Sequence, residues 1–107
     1  MNIKITSIFK KEFKKLLKKD KNLLIEYEDL LDDLESNPTK GIKISDNTYK
    51  IRIKNRSNNR GKSSSYRVIT YTKIKETILL VSIYSKNNTS NINDNKIDEI
   101  IREYTSK

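Results

Sequence analysis

Arg52, Arg56, Arg60 and Arg67 fall within sixteen residues of a chain whose other basic positions, Arg102 apart, are all lysine. The chain has no alanine, histidine, cysteine or tryptophan and is rich in Lys, Asn and Ile, the mark of an AT-rich coding bias in which lysine is the default cation. Arginine kept against that bias points to a task that lysine does poorly. Guanidinium offers a planar fork of N–H donors that matches phosphate oxygens two at a time, whereas ammonium is a point charge. The cluster reads as a set of phosphate or nucleic-acid contacts.

Lys50, Arg52 and Lys54 alternate with Tyr49, Ile51 and Ile53. On a strand this stands three cations on one face, roughly 6–7 Å apart. Arg67 on the following strand and Lys86 after the last one converge on the same face if those strands are neighbours. Crowded cations disfavour each other's charge, so a lysine among them can release its proton near neutrality and act as a base. Arginine stays charged and can stabilise a phosphorane-like transition state. A metal-free ribonuclease needs a base for the 2′-OH, charge stabilisation, and an acid for the leaving 5′-oxygen. Lysine and arginine can fill all three roles, but the same spacing describes a plain RNA-binding face, and from the residues alone binding is the favoured reading.

Other chemistries are poorly served. Without His or Cys there is no imidazole acid–base pair, no thiolate metal site and no disulfide framework. Gly61-Lys62-Ser63 has the look of the end of a phosphate-binding loop, yet Arg56 stands where the earlier glycine belongs and a strand follows instead of a helix. Asp29, Asp32 and Asp33 are explained more cheaply as a solvated helix face than as magnesium ligands. No metal and no cofactor is expected.

A chain of 107 residues is one domain, residues 1–107, because two cores would each bury too little surface. Only 34% of residues are hydrophobic, so the core must be narrow and built from Ile, Leu and Tyr. The net charge of +9 is unevenly spread. Residues 1–19 carry seven lysines against Glu12, residues 20–35 set seven carboxylates against Lys21, and residues 40–75 hold eleven cations against Asp46. The central excess resembles a binding footprint that includes Lys54, Arg56, Arg60 and Lys62, with Lys10, Lys11, Lys14 and Lys15 as a second docking set. No apolar stretch approaches the ~20 residues of a membrane span, and the first thirty residues lack a signal-peptide core. A cytoplasmic, soluble protein is expected.

The elements that must position these cations follow from periodicity. Asn2–Ile5 alternates as a short strand. Ser7 is placed to cap a helix in which Phe9, Phe13, Leu16 and Leu17 form one stripe and lysines the other. After a break at 20–22, Leu23, Leu24, Tyr27, Leu30, Leu31 and Leu34 mark a second helix, stopped by Ser36-Asn37-Pro38. The short break makes the two an antiparallel hairpin, its basic and acidic outer faces attracting each other weakly. From Gly41 the period becomes two: Ile42 and Ile44, a turn at Asp46-Asn47, then Tyr49, Ile51 and Ile53. Residues 55–64 read as a basic loop. Two more strands, Ser65–Lys73 and Thr77–Ser85, follow, the last so apolar that it is expected as a central strand buried on both faces. Asn93 is placed to cap a final helix carrying Ile97, Ile100, Ile101 and Tyr104. The expected fold is α+β: a short N-terminal strand, a two-helix hairpin packed on a mainly antiparallel sheet of about four to five strands, and a C-terminal helix. The helices are expected on one sheet face, leaving the other to the cations.

The runs Tyr49-Lys-Ile-Arg-Ile, Gly61-Lys-Ser-Ser-Ser-Tyr-Arg67-Val-Ile-Thr-Tyr and Leu80-Val-Ser-Ile-Tyr-Ser-Lys86 resemble the RelE/ParE superfamily of toxins from type II toxin–antitoxin systems. The nearest likeness is to its HigB-like branch, where a Gly-Lys-Ser-rich loop enters a strand carrying Arg-Val-Ile and a Tyr-x-Lys closes the last strand. The resemblance covers nearly the whole chain. It implies an endoribonuclease that cuts mRNA in the ribosomal A site without metal, by 2′-OH attack, leaving a cyclic phosphate and a 5′-hydroxyl. It also implies a cognate antitoxin as partner and no homo-oligomer in its absence. Lys50 and Arg52 match the strand cations assigned to base and phosphate contact, Arg67 the transition-state arginine, and Lys86 a cation near the leaving group. The chain departs from the RelE pattern in having lysine at position 86 and no tyrosine between Tyr84 and Tyr104, where RelE stacks a nucleotide; Tyr84 itself reads as core. The ParE side of the superfamily implies the alternative, a non-enzymatic inhibitor of DNA gyrase. Such chains usually lack a crowded cation strand, so Lys50, Arg52 and Arg67 favour cleavage.

Overall fold

Five period-two segments pair into one sheet in the computed structural model, which describes residues 2–54, 65–73, 76–85 and 94–105. In chain order the elements are β1 (Asn2–Ile5), α1 (Ser7–Lys19), α2 (Leu23–Ser36), β2 (Ile42–Ser45), β3 (Thr48–Lys54), β4 (Ser65–Tyr71), β5 (Thr77–Ser85) and α3 (Asp94–Thr105). The strand order is β1-β5-β4-β3-β2. β1 runs parallel to β5, and the other pairs are antiparallel, as the α+β reading expected. β5 is an interior strand between β1 and β4, buried on both faces from Ile78 to Tyr84 as its apolar run suggested.

Alternation along each strand divides the core in two. Ile51, Ile53, Tyr66, Val68, Ile78, Leu80 and Ile83 pack against Phe9, Leu23, Leu30 and Leu34 of the α1–α2 hairpin. Ile69, Leu79, Val81 and Tyr84 face the other way and pack against Ile97, Ile100 and Ile101 of α3. The expectation that all helices share one face is therefore corrected: α3 covers part of the cation-bearing face. The physical reason is that β5 is apolar on both sides, and both sides need a partner.

The hairpin is held by aromatic rings. Phe13 lies 4.6 Å from Tyr27 and 5.9 Å from Phe9 between ring centroids, tilted or offset as ring quadrupoles prefer. Leu24, counted in the α2 stripe, is instead 48% exposed, because Leu23 takes the inward position. Nor do the α1 lysines form ion pairs with α2 carboxylates among the described residues. The helix cap also lies one residue earlier than expected. Thr6, not Ser7, is the N-cap, its Oγ1 accepting from the Phe9 N–H at 2.9 Å while donating to the Val81 carbonyl at 2.8 Å. A hydroxyl can do both, so one side chain closes the helix end and ties it to β5. The proposed cap Asn93 lies outside the described residues.

Between the helices, Asp20 is 7% exposed. Its Oδ1 accepts from the Asn22 N–H at 3.1 Å and its Oδ2 from the Tyr66 hydroxyl at 2.8 Å. The bond crosses 46 positions of sequence and pins the helical break to the start of β4. Burial first, then the bond to Asp20 and its negative charge, push the Tyr66 phenol well above the ordinary tyrosine range, so it remains a neutral donor. Tyr66→Phe leaves a buried carboxylate short of a donor and should lower unfolding free energy by about 1.5–3 kcal/mol. Urea unfolding checks it, and adding Asp20→Asn should cost less than the two single changes predict, since both break one bond.

Candidate nucleic-acid interface

The cation-bearing face is built by register. Arg52 on β3 is directly opposite Arg67 on β4, and Arg67 is opposite Tyr84 on β5, so the three form a row across adjacent strands. The next row holds Lys50 opposite Ile69. Directly opposed Cα atoms in antiparallel strands lie about 4.5–5.5 Å apart, and Lys50 is two residues along β3 from Arg52. Ile51, Ile53, Tyr66 and Val68 are buried on the hairpin side, and that burial turns Lys50, Arg52 and Arg67 to the opposite side.

Arg52 is exposed, while Lys50 and Arg67 are half-buried. The Arg67 Nη1 also lies 3.5 Å from the carbonyl oxygen of Tyr66, a long bond that steers the side chain. Like charges directly opposed destabilise a strand pair. An anion between two such side chains would offset that penalty. Tyr84, at 7% exposure, belongs to the core under α3, as its place in an apolar strand suggested.

Two local features fix this patch. Gly41, at φ +105, lets the chain enter β2 hard against β3: a Cβ there would stand 2.5 Å from the Lys50 carbonyl oxygen. Along the outer edge of β3, Arg52 shares a groove with Lys40 and with Glu26, Asp29 and Asp33 of α2. Lys40 pairs with Asp33 at 2.5 Å. Asp29 and Asp33, which the sequence presented as part of a solvated helix face, thus share a groove with this arginine.

Not every candidate joins the patch. Lys10, Lys11, Lys14 and Lys15 are exposed along α1, which packs with the hairpin on the other face of the sheet. They form a separate basic surface. Lys54 takes its place in β3 opposite Ser65, but its side chain lies outside the described residues, as do Arg56, Arg60, Lys62 and Lys86.

Glu12 is a residue the sequence reading used only as a charge to subtract. β1 pairs with β5 only as far as Leu80, and beyond that α1 covers the strand's open edge. The Glu12 Oε1 accepts there from the Ser82 hydroxyl at 2.8 Å and from the Ile83 N–H at 3.2 Å, standing in for the missing strand's carbonyl. Burial raises its carboxyl above the ordinary range; the bonds from Ser82 and Ile83 and the charges of Lys96 and Lys15 oppose this and reduce it. A lone acid on a lysine face, 70 positions from its partner, was the available signal.

The raised carboxyl carries a testable sign. The folded state holds this proton more tightly than the unfolded chain, so the contribution of Glu12 to stability falls as pH rises from the ordinary carboxylate range through the folded value. Glu12→Gln keeps an acceptor for Ser82 and Ile83 and removes the titration. Its urea midpoint should gain on that of the wild type as pH rises from the ordinary carboxylate range through the raised folded value. A difference between the two that stays flat with pH would refute the assignment.

The comparisons agree with this architecture. No curated protein matches the chain significantly. A family model described as the RelE toxin of the RelE/RelB toxin–antitoxin system matches residues 3–106, which run from β1 through all three helices and take in Lys50, Arg52 and Arg67. With that match over nearly its full length, the chain belongs to the RelE toxin family.

Proposed function

We propose that this toxin is a ribosome-dependent endoribonuclease of the HigB-like branch, cutting mRNA without a metal ion and thereby stopping translation. The observation that carries the reading is the Arg52–Arg67 pair with Lys50 beside it on one sheet face. In the proposed reaction the 2′-oxygen attacks the adjacent phosphorus, the bond from phosphorus to the 5′-oxygen breaks, and the products are a 2′,3′-cyclic phosphate and a 5′-hydroxyl. A base takes the 2′-OH proton, and an acid returns one to the 5′-oxygen. Lys50 stands in place for the base, Arg52 for holding the phosphate, and Arg67 for the charge that builds on the equatorial oxygens. Lys86 is assigned to the leaving oxygen by resemblance alone.

Dependence on the ribosome follows from the patch itself. Among the described residues it offers cations but no wall that would hold a flexible RNA in line for attack, and such positioning is worth several orders of magnitude in rate. The ribosome supplies it, and the exposed α1 lysines supply docking to rRNA with a steep salt dependence. The partners of this reading are the ribosome and mRNA; the family adds a cognate antitoxin, placed by this reading in a neighbouring gene. The toxin acts in the cytoplasm, where its substrate is. No helix among the described residues is long and apolar enough to cross a membrane.

Arg67 is the decisive position. Its neighbours Tyr66 and Val68 are core residues facing the hairpin, so Arg67→Ala should fold normally. Its single-turnover rate on saturated ribosomal complexes should drop by about 10²–10³, the loss of one transition-state donor. Arg67→Lys should recover only part of this, because charge returns without the fork. Full cleavage by Arg67→Ala would remove the assignment; a lowered melting temperature would make the arginine structural. In cells, induction should reduce amino-acid incorporation before DNA synthesis, and cleavage by purified protein should persist in EDTA with ribosome integrity verified. Failure of DNA synthesis first would favour the gyrase-inhibitor alternative.

A further inference from the structure

On the far side of Tyr84 from Arg67, α1 and the end of β5 enclose a groove of about 590 Å³, within the roughly 300–1,000 Å³ of small-ligand sites. Its floor is apolar, formed by Leu16 and Ile83. Glu12, Lys15, Leu16 and Lys19 lie at offsets 0, 3, 4 and 7 on one face of α1, and Lys18 joins them at the rim. The arrangement is unusual in one respect: three lysines surround a half-buried carboxylate that pairs with none of them. Glu12 commits Oε1 to Ser82 and Ile83, and its Oε2 makes no hydrogen bond to a described residue.

We infer that this groove holds one nucleotide of a single-stranded RNA, with Lys15, Lys18 and Lys19 on its phosphates and Glu12 Oε2 accepting from the amino group of its base. The inference rests on the RNA-directed reading above and extends it to base selection. The ligand must combine anionic groups for the lysines with a hydrogen-bond donor for the carboxylate, and a flat apolar body for the floor. A nucleotide carries all three. An acidic protein segment satisfies the lysines but sets carboxylate against Glu12, at a cost that grows with burial. The groove also adjoins the arginine row through Tyr84, which lines it and is opposite Arg67.

The chemistry predicts which bases fit. Cytosine presents an N4 amino donor where uracil presents the O4 acceptor, so Glu12 should favour cytosine and repel uracil. Glu12→Gln retains the acceptor for Ser82 and Ile83 but replaces Oε2 with an amino group, which inverts the preference.

The test is fluorescence anisotropy of labelled 2′-O-methyl hexamers of cytidine and of uridine, which bind but cannot be cut because the 2′-oxygen is blocked. Wild-type toxin should bind the cytidine hexamer about ten-fold more tightly, the worth of one charge-assisted hydrogen bond. Glu12→Gln should abolish or reverse that ratio. The double variant Lys18→Ala/Lys19→Ala should weaken both hexamers alike and make the salt dependence shallower by roughly 1–2 in log–log slope. Equal binding of the two hexamers by the wild type, or a ratio unchanged in Glu12→Gln, overturns the proposal. So does a double variant that keeps RNA affinity but loses antitoxin affinity, since the groove is then a protein-docking surface. Because the hexamers are inert, the outcome is separate from cleavage. A toxin that discriminates cytidine but never cuts ribosomal mRNA loses the nuclease reading and keeps this subsite; one that cuts without discriminating loses only the subsite.

Discussion

A slip of one residue between β3 and β4 would carry Ile51 and Ile53 out of the core beneath α2 and turn Lys50 and Arg52 into it. Burying four large apolar side chains of these two strands, each worth about 1.5–3 kcal/mol, therefore fixes where the cations stand. The functional face is in this sense a by-product of the core. On β3 every alternate residue is spoken for by packing, which leaves Lys50 and Arg52 free to carry charge; on β4 Arg67 has the same freedom, but Ile69 packs under α3. That freedom has a limit, because the same register sets Arg52 opposite Arg67, where like charges repel. The sheet tolerates the pair because Arg52 is exposed to water and the apolar side of the strands supplies far more than the repulsion removes.

The far end of β5 meets a different constraint. A parallel partner only four residues long leaves the second half of β5 with an open edge, and open edges invite unwanted pairing. The chain covers it with α1, using Thr6 at the helix start and Glu12 two turns on. Covering a strand edge with a helix cannot reproduce a ladder of carbonyls, so side-chain oxygens must take its place. This is why a carboxylate is buried at all in a segment otherwise given over to lysine.

The sequence was most informative where periodicity and chemistry coincide. All eight elements, the bounds of β5, the end of α2 and the turn at Asn47, whose φ is 61, were legible from spacing and stop signals. So was the projection of Arg67 to the cation side. What escaped were contacts between distant parts of the chain. The layer in which α3 packs could not be read from its stripe, because an apolar stripe says that a partner exists and not which one. Thr6 and Ser7 are equally good caps in isolation; the Val81 carbonyl, 75 positions away, decides between them. Asp20 and Glu12 looked like two of many surface charges, and only their partners on β4 and β5 distinguish them.

Arg67 gathers these threads. It follows Tyr66, which is tied to Asp20, and it lies between Arg52 and Tyr84 in register. Its side chain is half-buried beside the carbonyl of its own strand neighbour, so less rotamer freedom remains to be lost when a phosphate arrives than for the exposed Arg52. A group that must meet charge only as it develops gains most from being held beforehand, since reorganisation at the moment of reaction subtracts from its effect. Arg52, exposed at the edge of the α2 groove, is better suited to capturing an anion that can arrive in many orientations. The two arginines are opposite each other yet differ in what the fold has done to them, and in the proposed reaction that difference suits one to holding and the other to transition-state stabilisation.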